Sequence, residues 1–495
     1  LARKIRLRYT GLITFSSRVF SIFTGLIFVT TVTRNVPIYD FGIWQYISQL
    51  ISYFLFPLCI INYWSTRYIA RNMKVGKTSL LLTGLFSMIS FIFFLIISPY
   101  IAKSVNTDIN FFILGSLILI FLSLINNLDS IAYGYKPHVP SYGFIIFEII
   151  KVVLGLITVF YMRTGLYGAL ISLLIAYIAQ SIFLLIVLKD EIYGKFDLGI
   201  AKKWFKMGWI PFYNGFSGFL TSLDILIVTL LTSSSEPIAF WKAATTITIV
   251  ISYSNSLALA LYPKLLSGGS RKDIENSFKL VLMFSIPLTI GAIILAEPLL
   301  RILKSEYALA ATILRICSIS CFIGSLRSII DSIIIGTESI EISEDITFKK
   351  LLKSRLFLLP SLTYISSIFY LPLTYFITIY FLKNNSQQSF INIPLYINLV
   401  GLIINIAIFL YTFNLSKKII SYNFPIRNIL KYIFSVIIMS LIIMLFYPKS
   451  FRETIFLVGF GAIIYFLILF IIDKETRQLF ENSLRILKLE NLTKL

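Results

Sequence analysis

The chain has 495 residues, of which 57% are hydrophobic and 14% charged, and its mean hydropathy is +0.87. Soluble domains carry about a quarter charged residues, so a soluble globular class is excluded. The net charge of +21 would suit a nucleic-acid binder, but the lysines and arginines gather at the ends of apolar runs, where they act as topology signals; no nucleic-acid partner is expected.

Many apolar runs approach the ~20 residues that cross a bilayer as helix. They are continuous and do not alternate every second residue, which argues against a β-barrel. The fold class expected is an all-α polytopic membrane protein of about fourteen transmembrane helices. The first run, 11–33, follows a basic segment with Arg3, Lys4, Arg6 and Arg8. It is too long for the core of a signal peptide and is read as a retained helix. The second, 41–62, opens on Tyr39-Asp40-Phe41-Gly42-Ile43-Trp44 and leads into a basic loop with Arg67, Arg71, Lys74 and Lys77. Further spans are expected at 79–98, 110–132, 143–162 and 165–188, then 207–232, 239–262, 280–296 and 309–333. The last four lie at 356–382, 393–413, 432–447 and 454–472. With loops alternating from an inner N-terminus, inner segments hold 31 Lys and Arg and outer loops 8. The positive-inside rule then puts both termini in the cytoplasm of a cell (plasma or inner) membrane protein.

An internal repeat is visible. A shift of 197 residues lays Trp44 on Trp241, Arg67 on Lys264 and Lys74 on Arg271. At a shift of 199, Pro99 meets Pro298, and each is expected to end a helix on the outer side. Six spans separate the equivalent elements, so the repeats run parallel, and transporters commonly place their site between such halves. The expected organisation is an N-lobe over 1–188 (helices 1–6), a cytoplasmic linker over 189–206 and a C-lobe over 207–413 (helices 7–12). Helices 13 and 14 follow over 414–472, and a cytoplasmic amphipathic tail over 473–495.

Enzyme signatures are sparse. His138 is the single histidine, so multi-histidine metal sites are excluded, and it reads as an ordinary loop residue. Gly76-Lys77-Thr78 imitates the end of a phosphate-binding loop, but that loop needs glycine where Arg71 stands. Cys317 and Cys321 share a helix face and read as core packing. Asn384-Asn385-Ser386 is an N-x-S triplet in an outer loop. No catalytic residue, metal or cofactor is assigned.

The intramembrane charges remain. Glu148 and Lys151 are spaced i, i+3 and Arg327 and Asp331 i, i+4, spacings that allow pairing on one helix face. Asp129 sits near the inner end of span 4. Arg18 and Asp224, in spans 1 and 7, have no opposite charge at helical spacing. They can pair with each other, or Arg18 can snorkel, since Arg8 is only about 15 Å away along the helix. Lys242 follows Trp241 at the outer end of span 8.

These residues carry a family resemblance. Arg18-Val19-Phe20 followed by Tyr39-Asp40-Phe41-Gly42-Ile43-Trp44 resembles the opening of polysaccharide and O-antigen flippases. Gly165-Leu166-Tyr167-Gly168-Ala169 is similar to the start of their helix 6. Gly208-Trp209-Ile210-Pro211 with Asp224 is similar to their helix 7. Glu236 to Ala244 and Tyr262-Pro263-Lys264-Leu265 resemble the two ends of their helix 8, with Trp241 where tyrosine is commoner. The landmarks run over residues 10 to 330. The acidic loop of Glu338, Glu341, Glu344 and Asp345 departs from the pattern. The superfamily is that of the multidrug, oligosaccharidyl-lipid and polysaccharide exporters.

The resemblance implies two six-helix lobes around a central cavity, two extra C-terminal helices and alternating access. The substrate it implies is a lipid-linked oligosaccharide on a polyprenyl phosphate or pyrophosphate, moved from the inner to the outer leaflet for polysaccharide or glycoprotein assembly. Arg18, Lys242 and Arg315 are the candidates to hold its phosphates, arginine offering a bidentate fork. Asp224, Glu148 and Asp129 are the candidates to couple a proton or sodium ion. Membrane lipids are the remaining partners. A multidrug–cation antiporter of the same superfamily is the alternative, but span 1 carries an arginine and no carboxylate. A membrane glycan transferase or ligase ranks behind both.

Overall fold

A computed structural model describes residues 7–70, 73–258, 261–266, 270–337, 354–383, 389–446, 448 and 450–477. The acidic residues between Glu338 and Asp345, the Asn384 triplet and the tail from 478 onward lie outside the described residues, as do the side chains of Arg8 and Lys264. The described residues are helical almost throughout, with no strand among them. Twelve helical segments are long and apolar enough to cross a membrane, and the chain is a multi-pass membrane protein. The expected first and eighth spans are also helical, as α1 (Leu7–Asn35) and α12 (Glu236–Ser252), but are not among the twelve. The chain divides into two compact units. One holds Leu1–Lys242 and Pro360–Pro394, the other Ala243–Leu359 and Leu395–Leu495.

In the first unit, α1 buries Thr24, Phe28 and Val32. The four-residue spacing makes one stripe, which packs on α6 (Val139–Gly155). The second span is α2 (Ile38–Leu55) and α3 (Cys59–Ala70), joined by a 3-10 turn at Phe56–Leu58. Pro57 in that turn cannot donate the hydrogen bond a continuous helix would need. α4 (Gly76–Ser104), α5 (Ile109–Tyr135) and α7 (Gly165–Val187) pack around them. Their seam is polar: Asn127 donates to Asn62 Oδ1 at 3.1 Å and to Ser79 Oγ at 2.6 Å, and Ser123 donates to Ser87 at 2.8 Å. The outward face of α4 is the reverse, with Leu85, Ile92 and Ile96 more than half exposed. An apolar face of that extent belongs in hydrocarbon.

Pro99 does not end its helix. α4 continues to Ser104, because one missing amide near a helix end removes only one hydrogen bond. Pro298 instead lies in the first turn of a short α15 (Ala296–Leu303). Proline is tolerated there because first-turn amides have no partner within the helix. α6 loosens into a π-helical turn at Leu156–Tyr161, and Gly165 at φ +62° then starts α7. Glycine takes that left-handed geometry without steric penalty, which accounts for the first glycine of the Gly165–Gly168 pair.

The linker forms two short helices, α8 (Lys189–Ile192) and α9 (Leu198–Lys206). Asp197 caps α9 by accepting from the Ile200 amide at 3.0 Å. Ala201 and Trp204 are the buried side of α9, and Trp204 meets Tyr68 edge-on at 5.7 Å. The Asp197 amide donates to Thr78 Oγ1 at 3.0 Å. Gly76-Lys77-Thr78 is therefore where the linker docks on the start of α4.

The second unit is built on α14 (Arg271–Ile294), α16 (Ala311–Gly336), α19 (Ile426–Leu445) and α20 (Phe451–Ile472). α13 (Leu261–Leu266) packs on α16. Two long helices, α17 (Arg355–Lys383) and α18 (Ser389–Ile419), run from one unit into the other. The C-terminal pair is tied to α14 by polar contacts. Tyr465 donates to the Met283 carbonyl at 2.8 Å, and Lys279 pairs with Glu475 at 2.7 Å.

Candidate functional site

Three clusters of charge lie among the spanning helices of the first unit. The first surrounds Arg18 on α1, an exposed position. Its guanidinium carbon lies 5.0 Å from the centroid of the Phe144 ring on α6. An aromatic face attracts such a cation, more strongly where water is scarce. Asp129 and Tyr133 of α5 are within electrostatic reach of Arg18. Arg18 makes no ion pair among the described residues, and Asp129 Oδ1 is buried without a hydrogen-bond partner. Two of the expected site residues, Arg18 and Asp129, are thus neighbours.

The second cluster confirms the pairing expected from spacing. Lys151 Nζ donates to Glu148 Oε1 at 2.7 Å. The other carboxylate oxygen accepts from Thr24 of α1 at 2.5 Å. Phe147 and Phe28 flank the ammonium at 4.8 and 5.5 Å. Glu148 is 3% exposed and Lys151 7%, so the pair is sealed from solvent, and each charge depends on the other.

The third cluster forms where span 7 breaks. The span expected over 207–232 is present as one candidate membrane span, Pro211–Thr232, interrupted at Ser222 into α10 (Trp209–Thr221) and α11 (Leu223–Thr232). Tyr53 donates to the Ser222 carbonyl at the break. Asp224 sits in the first turn of α11, where the helix dipole favours a negative charge. Its Oδ1 accepts from the Ile225 amide at 2.7 Å and its Oδ2 from the Tyr370 hydroxyl of α17 at 2.8 Å. Lys242 on α12 is within electrostatic reach of Asp224. The expected lone carboxylate and the expected phosphate ligand therefore lie within electrostatic reach of each other in one unit, as Asp129 and Arg18 do.

The neighbouring turn explains the glycine of the opening motif. Ser235 Oγ donates to the Tyr39 carbonyl at 2.7 Å. A Cβ at Gly42 would run into the Ser235 carbonyl. Tyr39 and Ser235 stand at the two turns that a shift of 197 residues relates, and these turns lie against each other.

Span 8 also differs from expectation. α12 ends at Ser252, and a 3-10 stretch from Tyr253 to Ala258 follows. In the second unit, Arg315 is exposed on α16, and its Nε donates to the Ile293 carbonyl at 3.4 Å. Arg327 and Asp331 pair at 3.6 Å on the same helix. His138 lies outside the spans, edge-on to Tyr142 at 5.9 Å. Burial, then the Lys136 charge, pushes its pKa down, so it is neutral at pH 7.

Thr24, Phe144 and Tyr370 were not foreseen. Thr24 and Tyr370 lie 124 and 146 residues from the carboxylates they touch, and no local spacing signals such a contact. The one available hint for Tyr370 is its hydroxyl within an apolar span, which needs a partner there.

No protein-family model matches the chain, and no curated protein does. Among solved structures it is similar to the lipid II flippase MurJ in an inward closed conformation, at 16% identity and TM-score 0.64, over 94% of this chain and 98% of that one. It is also similar to an inward-facing multidrug resistance MATE family transporter of the MOP superfamily. There the identity is 13% and the TM-score 0.59, over 83% of this chain and 98% of that one. A third is a MOP superfamily transporter from Pyrococcus furiosus, described as having a binding pocket of reverse polarity. It matches at 14% identity and TM-score 0.54, over 84% and 95%. At these identities the likeness is one of fold: this chain is folded as the flippases and multidrug transporters of the MOP superfamily are.

Proposed function

We propose that the protein is a flippase that moves a lipid-linked oligosaccharide from the inner to the outer leaflet by alternating access. A polyprenyl phosphate or pyrophosphate carries negative charge that hydrocarbon rejects, and passage needs a cation to replace its hydration. The observation that carries the reading is Arg18, an exposed guanidinium on the first spanning helix that makes no ion pair among the described residues. Lys242 and Arg315 are the further phosphate ligands, and arginine can grip phosphate with two parallel hydrogen bonds. Asp224 is the carboxylate that couples a proton or sodium ion, with Asp129 as a second such group beside Arg18. Glu148 is held by Lys151 and Thr24 and is the weakest of the three candidates.

The likeness to MurJ supports this reading by its extent. The 6% of the chain left unmatched is shorter than α19 and α20 together, at 20 and 22 residues. The match to the multidrug transporter leaves 17% unmatched. The multidrug–cation antiporter stands second on the strength of that same fold. The protein acts as a transporter and not an enzyme, in a cell membrane with both termini cytoplasmic.

The test is a leaflet-exposure assay in proteoliposomes carrying a polyprenyl-pyrophosphoryl oligosaccharide. Wild type exposes the glycan on the far leaflet, and Arg18→Ala, inserted at the same density, does not. Undiminished flipping by Arg18→Ala would overturn the role of that cation. Efflux of a cationic dye without glycan exposure would establish the antiporter.

A further inference from the structure

Helix α9 of the first unit packs by one side only. Ala201 and Trp204 are its buried residues, set against α3 and α4. Leu198, Lys202 and Phe205 recur at i, i+4 and i+7 and share another face, with Lys206 one turn beyond Lys202. Leu198 is 57% exposed and Phe205 43%, and Lys202, Lys203 and Lys206 are exposed beside them. No acidic residue lies between Leu198 and Lys206. The three lysines make no ion pair among the described residues. Like charges four apart on a helix repel, so Lys202 and Lys206 favour an anion beside them.

Phe205 shows where this face is turned. Its ring stacks on Phe86 of α4, with the centroids 6.2 Å apart and the planes at 18°. Phe86 begins an i, i+3, i+7 stripe with Ile89 and Phe93. Both are more than half exposed, on the side of α4 that belongs in hydrocarbon. The uncovered apolar side of α9 is thus continuous with the lipid-facing surface. Cations crowd the same end: Arg67 of α3, Lys74, and Lys77 of α4 are exposed there too. Apolar side chains on one flank and lysines on the next are the pattern of a helix seated in a membrane interface, where lysine stems reach up to the headgroups.

We infer that α9 is an anchor for an anionic leaflet: Leu198 and Phe205 enter the leaflet beside α4, and Lys202 and Lys206 bind its phosphates. The occupant is a lipid surface because the apolar side of α9 runs on into the hydrocarbon-facing side of α4; an acidic protein would have to enter hydrocarbon to cover Phe205. The Asp197 amide bond to Thr78 and the Phe205–Phe86 stack hold the anchor against α4, so leaflet charge acts on the linker through a docked helix. The anchor is separate from Arg18 and from the transport reading.

Hydrogen exchange of the full chain in nanodiscs, read by mass spectrometry over residues 198–206, tests it. The discs hold phosphatidylcholine alone or an equal mixture with phosphatidylglycerol. Wild type exchanges at least about tenfold more slowly in the mixture, since each lysine at an anionic surface contributes about fivefold. Lys202→Gln with Lys206→Gln exchanges at the same rate in both lipids. Leu198→Ser with Phe205→Ser exchanges faster than wild type in both. An unchanged unfolding midpoint in detergent shows that the lysine variant is folded. Equal exchange by wild type in the two lipids overturns the anchor, and so does a phosphatidylglycerol effect that survives the loss of both lysines. Equal slowing by soluble polyglutamate in phosphatidylcholine discs also overturns it, and would make the face one for an acidic protein.

Discussion

The Tyr370 hydroxyl donates to Asp224 Oδ2 at 2.8 Å, joining α17 to α11 across 146 residues. It sits where span 7 breaks, and the Ile225 amide completes the carboxylate's shell. Removing a hydrogen bond to a charged acceptor costs about 1.5–3 kcal/mol. Tyr370→Phe should lower the thermal unfolding midpoint accordingly in detergent. Tyr370→Phe with Asp224→Asn should cost less than the two single effects combined, because the sites are coupled. Additive effects would mean that the contact contributes nothing.

The buried Glu148–Lys151 pair predicts a different pattern. Either Glu148→Gln or Lys151→Met alone strands one charge, at about 3–5 kcal/mol. The double variant should recover much of that loss, since neither charge is left unpaired. Expression level and unfolding midpoint read this directly. A double variant as unstable as the worse single one would show that the pair is not the unit of stability.

Gly42→Ala drives a methyl into the Ser235 carbonyl. The obstacle is backbone, so a side-chain rotation cannot relieve it. Overpacking of this kind costs about 1–3 kcal/mol, and the midpoint should fall by a comparable amount. A neutral Gly42→Ala would mean that the two turns separate freely.

Asp473 gives a pH dependence outside the membrane. Burial works to raise its pKa, but the Lys431 ammonium at 2.8 Å and the Thr476 hydroxyl at 2.6 Å outweigh it, and the net shift is downward from 3.8. A depressed carboxyl stabilises the fold fully above its ordinary pKa and loses that contribution as pH falls through the lowered value. The gap in unfolding midpoint between wild type and Asp473→Asn should be constant from pH 7 to about 5 and close below about pH 4. A gap that widens on acidification would reverse the sign.

Hydropathy and charge alone determined that this chain is an all-α multi-pass membrane protein and which loops are basic, because about 20 apolar residues in a row have few other stable destinations. The i, i+3 spacing of Glu148 and Lys151 was enough to foresee their pairing, since helix geometry sets it locally. The breaks at Ser222 and after Ser252, the passage of α4 through Pro99 and the partners of Arg18 and Asp224 were decided by tertiary structure. A helix breaks or continues according to whether its freed backbone groups find partners elsewhere, as the Ser222 carbonyl finds Tyr53. An intramembrane charge is likewise compensated by whichever distant helix packs beside it. Asp129 lies 111 positions from Arg18 and Tyr370 lies 146 from Asp224, distances over which a sequence holds no periodicity to read.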